Sequence, residues 1–337
     1  MIEQTAPPRD TLHAALSVAC RAPSLHNSQP WRWQLAAHSM HLRAEPARML
    51  LATDPTGRQM VISCGAALKH ARVAFAALGW HTVIHRLPDP TDPDHLASIE
   101  FEPSGPIRAR DVALAAAAVR RRTDRRAFLP GDLAEPITSR LVSVARTEGA
   151  ELLILPPMVA PELLVASRSA DLEHDTDAGC RAEPSWWTGT TASPRGISAT
   201  ALLTPPGHPP DGATLTVLRT ADDDRRNWLR TGEALAAVLL EATAAELATC
   251  TLTHLTEIED SRAVLERAIA SLGARPGHAQ VVVRVGRVHS PLPGPRSPRR
   301  PRIDVLEQLP LPSAVGHVST RSAVSANKVF VGKDGGG

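Results

Sequence analysis

The chain has no tyrosine, and only three of its 337 residues are lysine: Lys69, Lys328 and Lys333. Its positive charge is carried almost wholly by arginine, and 37 basic against 35 acidic residues leave a net charge of +2. That balance gives no electrostatic reason to expect nucleic acid or an anionic membrane as the main partner. Cysteine is equally sparse. Cys20, Cys64, Cys180 and Cys250 lie far apart with no C-x-x-C spacing, which argues against a disulfide framework or a zinc ribbon. A reducing, cytoplasmic setting is the resulting expectation. The N-terminus, MIEQTAPPRD, lacks the apolar core of a signal peptide. The most apolar run, residues 234–248, is short and carries Glu241 and Glu246, so it reads as a buried helix and not as a membrane span. No G-x-G-x-x-G follows a first strand, and P-loop, H-E-x-x-H and G-x-S-x-G patterns are absent.

What the chain does have is 43% apolar residues, enough to bury a full core in one large domain or two ordinary ones. Strand-like and helix-like runs alternate in both halves. In the first half these are a helix at 10–22, strands at 31–36 and 40–45 joined as a hairpin, an amphipathic helix at 61–80 with Ile62, Ala66, Val73 and Leu78 near one face, and strands at 81–87 and 95–101. The second half begins near 109. Helices are expected at 110–122, 132–149, 157–175, 229–248 and 259–272, strands at 151–156, 214–220 and 278–287, and a strand or loop at 248–255. Short hairpin-connected strands among the helices imply an α/β (α+β) layered sandwich with a mixed sheet. The tail 311–337 is low in apolar content and is expected to be disordered.

One stretch is unusually dense in polar groups at fixed offsets: RAPSLHNSQPWRW, residues 21–33. Pro23 and Pro30 bracket a turn between helix and strand, because the residue before a proline is pushed out of the helical region. Side chains and backbone N–H groups there can fan out around a flat, polar ligand. Three further signals lie in the second half. Arg121-Arg122-Thr123-Asp124-Arg125 closes a helix, with charge and hydroxyl at alternate positions suited to an anion. Thr249-Cys250-Thr251-Leu252-Thr253-His254 follows the long helix as a strand-loop, and Arg299-Arg300-Pro301 follows the last strand. Cys250 and His254 have no third ligand at metal-site spacing, so no metal is expected.

Taken together, Pro23, Ser24, Asn27, Gln29, Pro30 and Trp31 resemble the flavin-binding loop of the nitroreductase superfamily, P-S-x-x-N-x-Q-P-W. The Arg-x-Thr-x-Arg, Thr-Cys-Thr-Leu-Thr-His and Arg-Arg-Pro segments resemble the other flavin contacts of that family, and WWTG at 186–189 adds to the match. In ordinary nitroreductases two subunits build each FMN site, one giving the first loop and the other the remaining three segments. Here all four lie in one chain in that order, which resembles the Acg-like branch, in which two halves are fused as an internal pseudo-dimer. The resemblance implies an FMN-dependent nitroreductase fold with a largely antiparallel sheet, halves at 10–108 and 109–310, and one FMN per chain. It implies hydride transfer from NAD(P)H through the flavin to nitro- or quinone-like small molecules, by a cytoplasmic protein that is either a monomeric pseudo-dimer or a homodimer. No catalytic side chain is implied, since the flavin carries the chemistry. Pro23, Ser24, Leu25, Asn27 and Gln29, with Thr253 and His254, are expected at the flavin ring and ribityl chain. Arg121, Thr123, Arg125, Arg299 and Arg300 are expected at the phosphate and ribityl hydroxyls. Two departures stand out. Glu246 occupies a position where the family has glycine, so a different local turn is expected. The interval 190–213 is short for the lid that covers the flavin in Acg-like proteins, which favours a reductase; a non-catalytic flavin-storage protein is the alternative.

Overall fold

The computed structural model describes residues 6–159, 163, 165–166, 211–290 and 297–309. The WWTG segment, Cys180, nearly all of the 190–213 interval, most of the 157–175 helix and the tail 311–337 lie outside the described residues.

Ahead of the longest helix of the first half stands a buried cap. Both carboxylate oxygens of Asp54 accept from the first turn, from Gln59 N at 3.0 Å and Met60 N at 2.8 Å. Gly57, at φ 72°, supplies the left-handed entry. Burial pushes the Asp54 carboxyl up to about 6, against the lowering effect of those two N–H donors. The helix that results, α2 (Arg58–Ala77), follows α1 (Arg9–Ala19), β1 (Trp31–Leu35) and β2 (Ser39–Ala44). Then come β3 (Trp80–Arg86), β4 (His95–Pro103), α3 (Ala109–Arg120), α4 (Glu135–Thr147) and β5 (Glu151–Ile154). After the segment outside the description come β6 (Thr214–Thr220), α5 (Arg225–Ala244), β7 (Ala248–Leu252), α6 (His254–Glu257), α7 (Glu259–Ser271), β8 (His278–Gly286), α8 (Arg302–Val305) and β9 (Leu306–Gln308).

Two sheets form. The first has the order β3-β4-β2-β1-β9, antiparallel except for the parallel β1–β9 pair. The second has the order β5-β6-β8-β7 and is antiparallel throughout. β9 is the last described strand of the second half, yet it pairs with β1 of the first, Trp33 opposite Leu306. The expected division at 108/109 is therefore crossed by a C-terminal strand that clasps the first sheet.

Helix α2 is buried more completely than the one apolar face of its amphipathic pattern suggests. Every residue from Arg58 to Leu68 is buried, and Leu78, expected on its apolar face, lies beyond the helix and is 41% exposed. The cause is α5, which packs along α2 and covers the side that a lone first half would leave to water. Ile62 joins the core of the second sheet, whereas Ala66 joins that of the first. By length and composition α2 could cross a membrane, but its apolar surface is spent on protein. A buried ion network also spans the halves. Glu233 on α5, fully buried, binds Arg72 at 2.8 Å and Arg86 at 2.7 Å; Glu148 binds Lys69 at 2.6 Å and Arg72 at 2.5 Å.

Helix α5 starts four residues earlier than its pattern suggests, because Asp224 caps it by accepting from Asn227 N at 2.8 Å. Its end corrects a second expectation. Glu246 takes the left-handed conformation itself, at φ 58°, while Glu246 N and Leu247 N bond back to Thr243 O and Ala242 O. The turn is the one a glycine would make, held by a glutamate.

Candidate functional site

The 21–33 stretch is a strained loop. His26, Asn27 and Gln29 all have positive φ, at 45°, 60° and 50°, although none is glycine. Such conformations cost roughly 1–3 kcal/mol each and persist only where the surroundings impose them. Here the surroundings are specific. Ser24 Oγ accepts from Gln29 N at 3.0 Å and closes the loop. Leu25 N donates to Ser63 Oγ on α2 at 3.2 Å. From the far end of the chain, Pro298 O accepts from Asn27 Nδ2 at 3.1 Å, and Arg299 donates to Asn27 Oδ1 and to Arg21 O. Arg300 N donates to Gln29 Oε1 at 3.0 Å. The structure thus brings Arg299 and Arg300 onto the first loop, some 270 residues away in sequence.

The two arginines differ in what they face. Arg300 is neutralised: its guanidinium binds Glu45 at 2.6 Å and the carbonyls of Gln29 and Trp31 at 3.0 and 3.2 Å. It is a clasp for the loop. Arg299 lies beside Arg21 and Arg121, and among the described residues no carboxylate acts on Arg299 or on Arg121. Burial first, then the charges of Arg299 and Arg21, bring Arg121 down to about 9; burial and Arg21 bring Arg299 down to about 10. The Nε atoms of Arg121 and Arg299 are buried and take no hydrogen-bond partner among the described residues. His70 lies within the same field. Burial and the charges of Arg121, Arg299 and Arg21 push it down to about 3, and its Nε2 is likewise unpartnered among the described residues.

The Nε atoms of Arg284 and Arg300 are unpartnered too, but these and other buried arginines face a carboxylate. Arg72 and Arg86 meet Glu233, and Arg284 meets Asp211. Guanidiniums withdrawn from water with no opposing carboxylate among the described residues, as Arg121 and Arg299 are, are costly unless an anion completes them.

The remaining candidates lie on β7 and beside it. Asp124 N donates to Thr249 O at 2.9 Å and Thr123 bridges Thr249, so the 121–126 segment lies along β7. Arg125 is exposed and acts on Cys250. Thr253 and His254 lie past the strand, as the strand-loop reading expected, but the segment turns into a short helix. β7 stops at Leu252, and Thr253 O accepts from Thr256 N and Glu257 N to start α6. This turn reaches the first loop through two side chains of α2. Ser63 donates to Gln59 O at 2.7 Å, and Gln59 Nε2 donates to Thr256 Oγ1 at 3.5 Å. His254 is buried, Thr253 half-buried. Pro23 and Ser24 are half-buried, and Leu25 and Gln29 buried.

Sequence reasoning missed Arg21, Gln59, Ser63 and Glu45. Arg21 stands just past α1, where a basic residue usually serves helix carbonyls and draws no notice. Ser63 reads as a polar residue of an amphipathic helix and Gln59 as part of the turn before it, and only the burial of α2 gives them a role.

No family model matches the chain. Whole relatives do match. It is 38% identical over 316 residues to a Mycobacterium tuberculosis (strain ATCC 25618 / H37Rv) protein provisionally named NAD(P)H nitroreductase acg, covering 87% of this chain and 94% of the relative. The chain belongs to the Acg family of NAD(P)H nitroreductase-like proteins. A second Acg-family relative from the same organism, provisionally named NAD(P)H nitroreductase Rv3131, is 37% identical over 327 residues, covering 89% and 92% of the two chains. Among solved structures the chain is similar to a Bacteroides fragilis nitroreductase with bound FMN, at 14% identity and TM-score 0.38, covering 55% of this chain and 94% of that one. It is also similar to the FMN-dependent nitroreductase NfnB of Mycobacterium smegmatis in complex with NADPH, at 17% identity and TM-score 0.39, covering 57% and 97%. For this Acg-family chain the expected fold class holds: layered α/β, with a mixed, largely antiparallel pair of sheets about two central helices.

Proposed function

We propose that the chain is an FMN-dependent oxidoreductase of nitroreductase type, and that Arg21, Arg121 and Arg299 hold the flavin phosphate. The observation that carries this reading is that the buried guanidiniums of Arg121 and Arg299 have no carboxylate acting on them among the described residues, and that they are set beside a strained polar loop. A phosphate dianion supplies the missing charge and accepts from several N–H groups at once. Thr123 and Arg125 flank the approach. Pro23, Ser24 and Leu25, with Thr253 and His254 reached through Ser63 and Gln59, border the space for the ring and ribityl chain. Asn27, Gln29 and Arg300 are assigned a positioning role, because their side chains hold the loop and Arg299 in place. Bound FMN would supply two-electron chemistry between NAD(P)H and a nitro- or quinone-like acceptor, and the protein binds and orients it. One FMN per chain follows, since the chain has one such loop and one such cluster among the described residues. A cytoplasmic setting belongs to the same reading, supported by a nicotinamide donor and by the unpaired Cys20, Cys64 and Cys250.

The test is calorimetric titration of flavin-free protein with FMN and with riboflavin, which lacks the phosphate. FMN is expected to bind far more tightly. Equal affinities would remove the phosphate role from the arginine cluster.

A further inference from the structure

The outer face of the first sheet carries a side-chain cluster that the reading above does not use. β2 and β4 place His41 opposite Ser98, and a register shift after Leu42 brings His95 beside them, opposite Arg43. His41 Nδ1 stands 3.1 Å from His95 Nε2 and 2.9 Å from Ser98 Oγ, and Ser98 Oγ stands 3.2 Å from His95 Nε2. Three potential ligand atoms thus form a nearly equilateral triangle on a half-buried surface.

The ordinary account of such a triangle is a hydrogen-bond network with shared protons. A further feature favours a different use: each ring has an outer partner that fixes its orientation. His41 Nε2 meets Ser39 Oγ at 3.1 Å, and the backbone of Ala97 hydrogen-bonds the His95 ring. Metal-binding histidines are held by outer partners in this way. The adjacent Arg43 would repel a cation, but it is paired with Asp92 at 2.6 Å.

We propose that His41 Nδ1 and His95 Nε2, with Ser98 Oγ or a water held on it, bind a divalent transition-metal ion of the zinc or copper class. The triangle has the right size. An ion about 1 Å above its plane lies roughly 2.0–2.1 Å from each corner, the usual metal–imidazole distance. No group of three or more His, Cys, Asp or Glu side chains is placed around one ion among the described residues. The site therefore has two imidazoles and keeps at least one position for water, which makes it an open, exchangeable site. His81 and His85 share the sheet face but turn to Glu102 at 3.3 Å and Glu100 at 3.4 Å, and take no part.

Zn2+ is the probe of choice, because it is redox-inert and leaves any bound flavin's colour undisturbed. Chelator-stripped full-length protein is titrated with Zn2+ by calorimetry, alongside His95→Ala, His41→Ala, Ser98→Ala and the control His81→Ala. The expected result is one site lost from the wild-type stoichiometry in His95→Ala and in His41→Ala. Ser98→Ala should weaken that site about tenfold, and His81→Ala should leave it intact. Circular dichroism of each variant confirms folding, and a Co2+ titration gives a second readout through a visible band that should vanish in His95→Ala. Zn2+ binding that His95→Ala leaves unchanged in a folded protein overturns the proposal.

Discussion

Gly65 on α2 and Gly232 on α5 meet backbone to backbone. A Cβ on Gly65 would lie 2.1 Å from Leu229 O and 2.9 Å from Gly232 Cα; one on Gly232 would lie 2.0 Å from Ile62 O and 2.8 Å from Gly65 Cα. The two halves of the molecule are held at this crossing, and nothing larger than hydrogen fits there.

Gly65→Ala and Gly232→Ala should therefore each destabilise the fold. In an open helix, Gly→Ala gains up to about 1 kcal/mol. Here the overlap is with backbone atoms that cannot rotate away, and overpacking typically costs ~1–3 kcal/mol or more. Urea denaturation measures the sign. Gly105→Ala, where no atom lies within 4 Å of the added methyl, is the control and should be near neutral. A gain in stability at either crossing glycine would contradict the close approach.

Glu246→Gly should stabilise the protein by about 1 kcal/mol, because the left-handed C-terminal turn of α5 costs a side-chain-bearing residue about that much. The substitution removes the Arg120–Glu246 pair at 3.1 Å, but both partners are largely exposed and the pair contributes little. Thermal melts of the two proteins decide it, and a lower melting temperature in the variant would count against the turn described.

His70 gives the flavin-free protein a pH dependence of definite sign. Its folded-state value, about 3, lies below the ordinary 6.5, so the unfolded chain takes up a proton that the folded chain refuses. Stability contributed by this group is full above pH 6.5 and is lost as pH falls toward 3. Asp54, raised to about 6, acts in the opposite direction between its ordinary 3.8 and 6, so the comparison must be between wild type and His70→Leu. Wild type should lose up to about 2 kcal/mol relative to the variant between pH 7 and pH 5. Parallel stability curves would show that His70 is not buried in its neutral form.

Arg121→Met should have opposite effects on binding and on folding. FMN affinity should fall roughly 10- to 100-fold, from the ~1.5–3 kcal/mol of a charge-assisted hydrogen bond, while riboflavin affinity changes little. Flavin-free protein should become more stable, because a buried charge facing two other arginines has been removed. Arg300→Met provides the contrast. It breaks the Glu45 pair and the loop clasp, so it should weaken FMN and riboflavin alike. Matching ligand profiles for the two variants would refute the division of roles.

Much of this was legible in the chain because local signals agreed with the fold. Alternating apolar residues placed β1, β2, β6 and β8 close to their observed limits, and Pro23 and Pro30 marked the loop. What was not legible depends on partners distant in sequence. The burial of α2 is set by α5, more than 140 residues on, so periodicity alone gave an amphipathic helix and not the depth of its burial. The same distance hid Ser63 and Gln59 as links between the two loops. Arg299 and Arg300 read as equivalent neighbours, and only Glu45, 255 residues from Arg300, separates a neutralised clasp from an uncompensated charge. Glu246 shows the reverse case, in which residue type suggested a change of turn and the surrounding backbone hydrogen bonds kept it.

The most direct test of the central claim is the visible spectrum of the purified protein, reconstituted with FMN if needed, before and after anaerobic addition of NADH or NADPH. The account predicts one FMN per chain, bleached by at least one of the two nicotinamides. Protein that stays colourless with added FMN would contradict the flavin site itself, and bound flavin bleached by dithionite but by neither nicotinamide would contradict the reductase.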